Sequence, residues 1–132
     1  MSLLLDTNAY SALRRGDSRV ERLIRQAPQI LMSAIVKGEL LSGFRVGSRY
    51  NLKRAELEEF LAAPFVKFLP VTLITADRFA LVFADLRAAG SPIPTNDIWI
   101  AAHALETGAE LLSEDQHFAK VRGLAWIDPA RT

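Results

Sequence analysis

The first evidence about the fold is the stretch Ser2-Leu3-Leu4-Leu5-Asp6-Thr7-Asn8, residues 2–8. Its apolar run stops abruptly at an acid, which is typical of a buried β-strand that ends in a turn. Asp6 then lies immediately beyond the carboxyl end of that strand. The stretch therefore predicts a core strand with a carboxylate at its end.

The rest of the chain repeats this alternation of short apolar runs and helical periodicity. Further strands are predicted at residues 29–32, 65–69, 110–112 and 124–127. Helices are predicted at residues 9–27 with a break at Gly16 and Asp17, 33–46, 52–62, 75–90 and 96–107, with a short helix at 116–119. About five short strands that alternate with helices indicate an α/β fold, in which a central parallel sheet is covered on both faces.

The composition limits the class of protein. A chain of 132 residues, half of them hydrophobic, fits one globular domain spanning residues 1–132. No apolar run is long enough for a transmembrane helix, and the N-terminus lacks the pattern of a signal peptide. The absence of cysteine excludes disulfides, thiolate zinc sites and cysteine nucleophiles, and it fits a reducing cytoplasm.

The net charge of +1 conceals an uneven distribution. Residues 1–54 hold ten Lys/Arg against four Asp/Glu, whereas residues 55–132 hold six against eleven. The basic side chains form two clusters: Arg14, Arg15, Arg19, Arg22 and Arg25, then Arg45, Arg49, Lys53 and Arg54. Such clusters can follow a phosphate backbone or can simply be solvated helix faces, and the sequence leaves both interpretations open.

Four acids fall where the predicted sheet would bring them together: Asp6, Glu39, Asp97 and Asp115. In open α/β sheets, ligands bind beyond the carboxyl ends of the strands. Asp6 and Asp115 follow predicted strands, Glu39 lies in the helix after the second strand, and Asp97 lies in the first turn of a helix. We therefore expect the four carboxylates to share one edge of the sheet.

A carboxylate cluster needs a compensating cation. Two charges about 4 Å apart repel by about 4 kcal/mol at an effective dielectric of about 20. Mg²⁺ and Mn²⁺ prefer carboxylate and water oxygens, and they can activate a water beside a phosphate. The pattern predicts a metal-dependent hydrolysis of phosphodiester bonds.

Each acid also has a purely structural interpretation. Asp6 could close a turn, Asp97 could favour a helix N-terminus and Asp115 could cap a helix. Glu39, surrounded by apolar residues in the sequence, is expected to be buried and to need a partner. Of the two histidines, His103 is expected to pack in a helix, and His117 lies close enough to Asp115 to contact a substrate.

Four segments resemble the PIN-domain family, and specifically the VapC-type toxins of toxin–antitoxin pairs. They are Leu4-Leu5-Asp6-Thr7-Asn8; Ser33-Ala34-Ile35 through Gly38-Glu39-Leu40-Leu41-Ser42-Gly43; Ile93 through Leu105, containing Thr95-Asn96-Asp97; and Leu111-Leu112-Ser113-Glu114-Asp115-Gln116-His117-Phe118. They span nearly the whole chain in the order and spacing of the family.

The resemblance implies a Rossmann-like α/β/α sandwich and an endoribonuclease that uses Mg²⁺, or Mn²⁺ in its place, on tRNA or ribosomal RNA. It implies that Asp6, Asp97 and Asp115 bind the metal, that Glu39 completes the catalytic quartet, and that Asn8 and Ser113 support it. It further implies a homodimer and a VapB-type antitoxin as partner. Helices within residues 33–62 are the expected dimer surface.

Two rival functions remain at this stage. A phosphatase of the haloacid dehalogenase type also places an Asp after its first strand, but it normally needs a second acid two residues later, where this chain has Asn8. A non-catalytic interaction module could use the acidic pocket only to hold a partner. Modification of Asp6 by beryllofluoride would indicate the phosphatase. RNA cleavage assays with and without EDTA would distinguish the non-catalytic interaction module from a metal-dependent nuclease.

Overall fold

A computed structural model describes residues 1–132, and its centre is one five-stranded sheet. The strands are β1 (Leu3–Leu5), β2 (Ile30–Ser33), β3 (Val66–Leu69), β4 (Glu110–Leu112) and β5 (Trp126–Ile127). All neighbours pair in parallel, in the order β3-β2-β1-β4-β5. The predicted parallel sheet is confirmed.

Six α-helices connect the strands. They are α1 (Thr7–Arg14), α2 (Ser18–Gln26), α3 (Ala34–Val46), α4 (Tyr50–Ala62), α5 (Leu73–Ala88) and α6 (Thr95–Thr107). Two short 3₁₀ helices follow at Gln116–Lys120 and Pro129–Arg131. No helix has the length and the apolar character that crossing a membrane would require.

Side chains of β1 point alternately to the two faces of the sheet, and each face has its own core. Leu4 packs in the larger cluster, together with residues of α3 and α6 such as Val36 and Ile100. Leu3 and Leu5 pack in the smaller cluster, against residues of α1 and α2. The molecule is therefore a three-layer α/β/α sandwich, as predicted.

The sequence misplaced the starts of several helices by a few residues. Helix α1 begins at Thr7 rather than Ala9, because Asp6 accepts a hydrogen bond from the Thr7 amide and caps the helix. Helix α5 begins at Leu73 rather than near Thr75, because Thr72 and Thr75 form a capping box around the first turn. In both cases a side-chain cap decides where the helix starts.

The order of the strands indicates where a ligand site can form. From β1 the chain moves outward to β2 and β3, then returns to the other side of β1 to form β4. The strand order therefore reverses between β1 and β4, and a crevice forms beyond the carboxyl ends of these two strands. Asp6 follows β1 and Ser113 follows β4 at this point.

Candidate active site

Asp6 is the most buried acid of the candidate site, with only 4% of its surface exposed. Its Oδ1 accepts a hydrogen bond from the Thr7 amide at 2.8 Å. Its Oδ2 accepts hydrogen bonds from the Ser113 hydroxyl at 2.7 Å and from Asn8 Nδ2 at 3.2 Å. The carboxylate is thus held from both sides of the β1–β4 crevice.

Asn8 and Ser113 form the support that the resemblance implied. Ser113 is fully buried, and its Oγ also accepts hydrogen bonds from Asn8 Nδ2 at 3.2 Å and from the Asp115 amide at 3.0 Å. Asn8 Oδ1 accepts a hydrogen bond from the Glu114 amide at 3.2 Å. These contacts tie the first turn of α1 to the segment after β4.

Glu39 reaches the site from the middle of α3. Its Oε1 accepts a hydrogen bond from the Thr7 hydroxyl at 2.6 Å, and its Oε2 accepts one from Asn96 Nδ2 at 3.3 Å. The expectation of a buried Glu39 is wrong, since the residue is only partly buried and lines an open cavity together with Ser42 and Asn96. Helix α3 turns this position towards the crevice instead of the core.

Asp97 and Asp115 approach each other from α6 and from the 3₁₀ helix after β4. The ring nitrogen Nδ1 of His117 lies 3.0 Å from Asp97 Oδ2 and 2.9 Å from Asp115 Oδ1. The Asp115 side chain also caps the 3₁₀ helix by accepting a hydrogen bond from the His117 amide. The three side chains can offer one ligand atom each to a single ion.

The four acids influence one another electrostatically. Burial, chiefly, raises the pKa of Asp6 to about 6, and the neighbouring charges of Asp97 and Glu39 add to the increase. Burial also raises the pKa of Asp97, and the charges of Asp115 and Glu39 act in the same direction. All four carboxylates therefore belong to one negative pocket.

The donor set fits a hard divalent cation. None of the Lys or Arg ion pairs of the structure involves any of the four acids, so His117 is the nearest group that can carry a compensating charge. A cluster of carboxylate oxygens without Lys or Arg partners is costly unless a cation joins it. The pocket has the chemistry of a metal site.

The sequence missed three contributors to this geometry. Thr7 and Asn96 hold Glu39, and His117 bridges two acids, whereas the sequence indicates for His117 only a contact with substrate. Each lies within two residues of one of the four acids, which is the only sequence signal that could have indicated them. His103 packs as expected: it is 1% exposed, between the Ser33 hydroxyl and the Pro70 carbonyl.

The fold and the site define an open α/β protein with an acidic crevice at the point where the strand order reverses. Comparison with known proteins gives the family. The PIN domain model matches residues 3–124. The chain belongs to the PIN-domain family.

The relatives of this chain cover almost all of its length. It is 32% identical over 135 residues to the plasmid stability protein StbB of Pseudomonas syringae pv. tomato, covering 96% of this chain and 97% of StbB. It is 29% identical over 133 residues to ribonuclease VapC1 of Haemophilus influenzae, covering 97% and 98%. The structure of VapBC-1 from nontypeable H. influenzae superposes with a TM-score of 0.86 at 24% identity, covering 98% of this chain and 99% of that one.

Proposed function

We propose that this chain is a VapC-type endoribonuclease toxin, which hydrolyses phosphodiester bonds of RNA and is neutralised by a VapB-type antitoxin. The observation that carries the proposal is the convergence of Asp6, Glu39, Asp97 and Asp115 at one crevice, where His117 is their one basic partner and no Lys or Arg pairs with them. Relatives named VapC ribonucleases and a relative solved as a VapBC complex support the activity and the partner. We expect tRNA or ribosomal RNA as the substrate.

Asp6, Asp97 and Asp115 are the proposed metal ligands, and Mg²⁺ is the proposed ion, with Mn²⁺ able to replace it. When bound there, a divalent cation would neutralise the pocket, make a water more acidic and stabilise charge on the scissile phosphate. The family is metal-dependent, and the choice of Mg²⁺ rests on the all-oxygen character of the carboxylates. His117 offers the one nitrogen donor in the group.

Glu39 is proposed to orient the attacking water by accepting one of its hydrogens. The hydrogen bonds from Thr7 and Asn96 hold the carboxylate in one rotamer while leaving each oxygen a further lone pair. Asn8 and Ser113 are proposed to keep Asp6 fixed, since their hydrogen bonds meet on its Oδ2. Such outer contacts set the geometry of a metal site.

The haloacid dehalogenase alternative lacks its second acid. Asn8 stands at that position, and its amide group is fully engaged with Asp6, Ser113 and Glu114. A carboxamide has no titratable proton, so Asn8 cannot serve as a general acid. The phosphatase reaction therefore has no proton donor at the position where it needs one.

Three further expectations accompany the proposal: one domain over residues 1–132, action in the cytoplasm, and a homodimer. The exposed large apolar side chains do not favour helices within residues 33–62 as the dimer surface. Only two of them fall in that range, and seven fall between residues 65 and 83: Phe65, Phe68, Val71, Leu73, Ile74, Leu81 and Phe83. We propose β3 and α5 as the dimer surface instead.

An RNA cleavage assay tests the proposed activity. The wild-type chain should cut total RNA in Mg²⁺ and should stop when EDTA is added. Asp97→Asn should lose cleavage, whereas Asp77→Asn, which removes an exposed acid of α5, should keep it. Cleavage that persists in EDTA, or an Asp97→Asn variant as active as the wild type, would contradict the proposal.

A further inference from the structure

The structure separates the basic residues that the sequence grouped together. Arg19 and Arg25 lie on α2, where Asp17 and Glu21 partner them at the surface. Arg14 and Arg15 lie at the end of α1, where they meet Lys53 of α4 around a single pocket. Two stretches far apart in sequence thus supply one concentration of positive charge.

This basic pocket is defined by Arg14, Arg15, Lys53, Tyr10, Ser11, Phe44 and Glu56, and it encloses about 400 Å³. That volume lies in the range of ordinary ligand sites. Three cations line it against one acid, and the acid, Glu56, is already paired with Arg14 at 2.7 Å. Arg15 and Lys53 are exposed and join none of the ion pairs of the structure, so their charges are available to a ligand.

The remaining lining suits a phosphate. Arg and Lys donate several hydrogen bonds to phosphate oxygens, and Arg can do so with two parallel bonds. The Tyr10 hydroxyl is an O–H donor at neutral pH, and burial raises its pKa still further above that range. Ser11 adds a second hydroxyl.

The pocket is connected to the catalytic acids by one helix face. Thr7, whose hydroxyl contacts Glu39, and Arg14 are two turns apart on α1, so they lie on the same side. With a rise of 1.5 Å per residue, Arg14 lies about 10 Å further along the helix than Thr7. A single RNA strand that follows this face would therefore place a phosphate in the pocket a few nucleotides from the catalytic acids.

We propose that the basic pocket is a subsite for the RNA backbone, which holds a phosphate a few nucleotides from the bond that is cut. The inference rests on the proposed ribonuclease function. A strand of phosphates is repelled by the four acids, and binding energy gained at a distance can keep it beside them. An acidic protein segment would satisfy the same charges, and the peptide arm of the test below decides between the two ligands.

Charge reversal with a matched control tests the subsite. In the Asp97→Asn background with Mg²⁺, binding of a fluorescein-labelled 12-nucleotide single-stranded RNA is measured by fluorescence polarisation across a salt series. Arg15→Glu with Lys53→Glu changes the same total charge as Arg22→Glu with Arg25→Glu on α2, where both residues are exposed. The pocket variant should bind at least about tenfold more weakly, with a salt slope smaller by about 1.4, whereas the α2 variant should lose little.

Cleavage assays use enzymes that keep the wild-type Asp97, and they separate this inference from the ribonuclease function on which it rests. A labelled dinucleotide is too short to reach the pocket, so the pocket variant should cut it as the wild type does while its kcat/KM on the 12-mer falls about tenfold. Equal values for the two charge-reversed variants on the 12-mer would overturn the subsite and leave the ribonuclease standing. A wild type that cuts neither RNA would remove the function first, and the polarisation result would still decide whether the pocket binds RNA.

Two further arms close the test. The milder Arg15→Ala with Lys53→Ala variant replaces the charge reversal if the latter unfolds at a lower temperature. Binding of a fluorescein-labelled, Glu-rich peptide of twelve residues, with a charge equal to that of the RNA, is measured in the same way as the alternative anionic ligand. If the pocket variants bind the peptide more weakly while RNA binding is unchanged, the assignment to RNA is wrong, whereas a loss of RNA affinity at least as large as the loss of peptide affinity supports it.

Discussion

The Ser113 hydroxyl donates a 2.7 Å hydrogen bond to Asp6 Oδ2, and the two residues are 107 positions apart. β1 and β4 are direct neighbours in the sheet, so their carboxyl ends present these side chains to each other. Ser113 Oγ meanwhile accepts hydrogen bonds from Asn8 and from the Asp115 amide. One buried oxygen therefore fixes the relative positions of two catalytic candidates, Asp6 and Asp115.

Ser113→Ala should impair both stability and activity. It leaves two donors without their acceptor in a fully buried place, which should lower the free energy of unfolding by about 2 kcal/mol. Loss of support for Asp6 should reduce metal affinity or RNA cleavage by about ten- to a hundredfold. Urea unfolding and calorimetric Mn²⁺ titration would measure the two effects. Ser48→Ala, in an exposed turn, is the control, and equal behaviour of the two variants would contradict this role.

The raised pKa of Asp6 predicts that the metal-free protein loses stability as the pH rises. The ordinary value is 3.8 and the folded value is about 6, so between these limits the folded chain binds more protons than the unfolded chain. The free energy of unfolding in EDTA should therefore fall between about pH 4 and pH 6, by up to about 3 kcal/mol. Urea denaturation at a series of pH values measures this slope.

Asp6→Asn should flatten that slope, whereas Asp77→Asn should retain it. Divalent cation should restore stability above pH 6, because the ionised carboxylate is the form that binds metal. A wild-type protein whose stability in EDTA rises steadily from pH 4 to pH 7 would show that the Asp6 carboxyl is not destabilised by its surroundings.

Thr7→Val should reduce catalysis without reducing stability much. Valine has nearly the shape of threonine but cannot donate to Glu39 Oε1, so the carboxylate keeps only its contact with Asn96. We expect kcat to fall about tenfold or more with little change in KM. Thr7→Ser retains the hydroxyl and should stay close to the wild type. A Thr7→Val enzyme with unchanged kcat would remove Thr7 from the positioning of Glu39.

His103 and His117 should differ in how much each contributes to the free energy of unfolding. His103 is buried and connects Ser33 at the end of β2 to the Pro70 carbonyl after β3. Because a carbonyl only accepts, its Nε2 carries the hydrogen and Nδ1 accepts from the Ser33 hydroxyl. His103→Ala should lower the free energy of unfolding by about 3 kcal/mol, while the folded fraction keeps its metal affinity.

His117→Ala should cost less than about 1 kcal/mol, since its side chain is 44% exposed. Thermal and urea unfolding of the two variants give the comparison. A larger loss of stability for His117→Ala than for His103→Ala would reverse the structural roles assigned to these residues.

The sequence predicted the sheet well because the strands are nearly continuous apolar runs, which have few other interpretations. It also located Asp6, Asp97 and Asp115 near the crevice, since positions after a strand and in the first turn of a helix follow from the chain alone, while the part of the four acids in metal binding stays a prediction. It could not predict that α3 would turn Glu39 outward or that Thr7 would donate to it, because these contacts depend on how α1 and α3 pack. The sequence likewise could not predict that Arg14 and Arg15 line one pocket with Lys53, because this depends on how α1 packs against α4.

The most direct test of the shared metal site is anomalous diffraction from crystals of the wild-type chain grown with MnCl₂. We expect a manganese peak in the crevice between β1 and β4, in contact with the carboxylates of Asp6 and Asp97 and beside Asp115. The peak should disappear in crystals of Asp97→Asn. Manganese bound only elsewhere, in a preparation that cleaves RNA in the same buffer, would contradict the account.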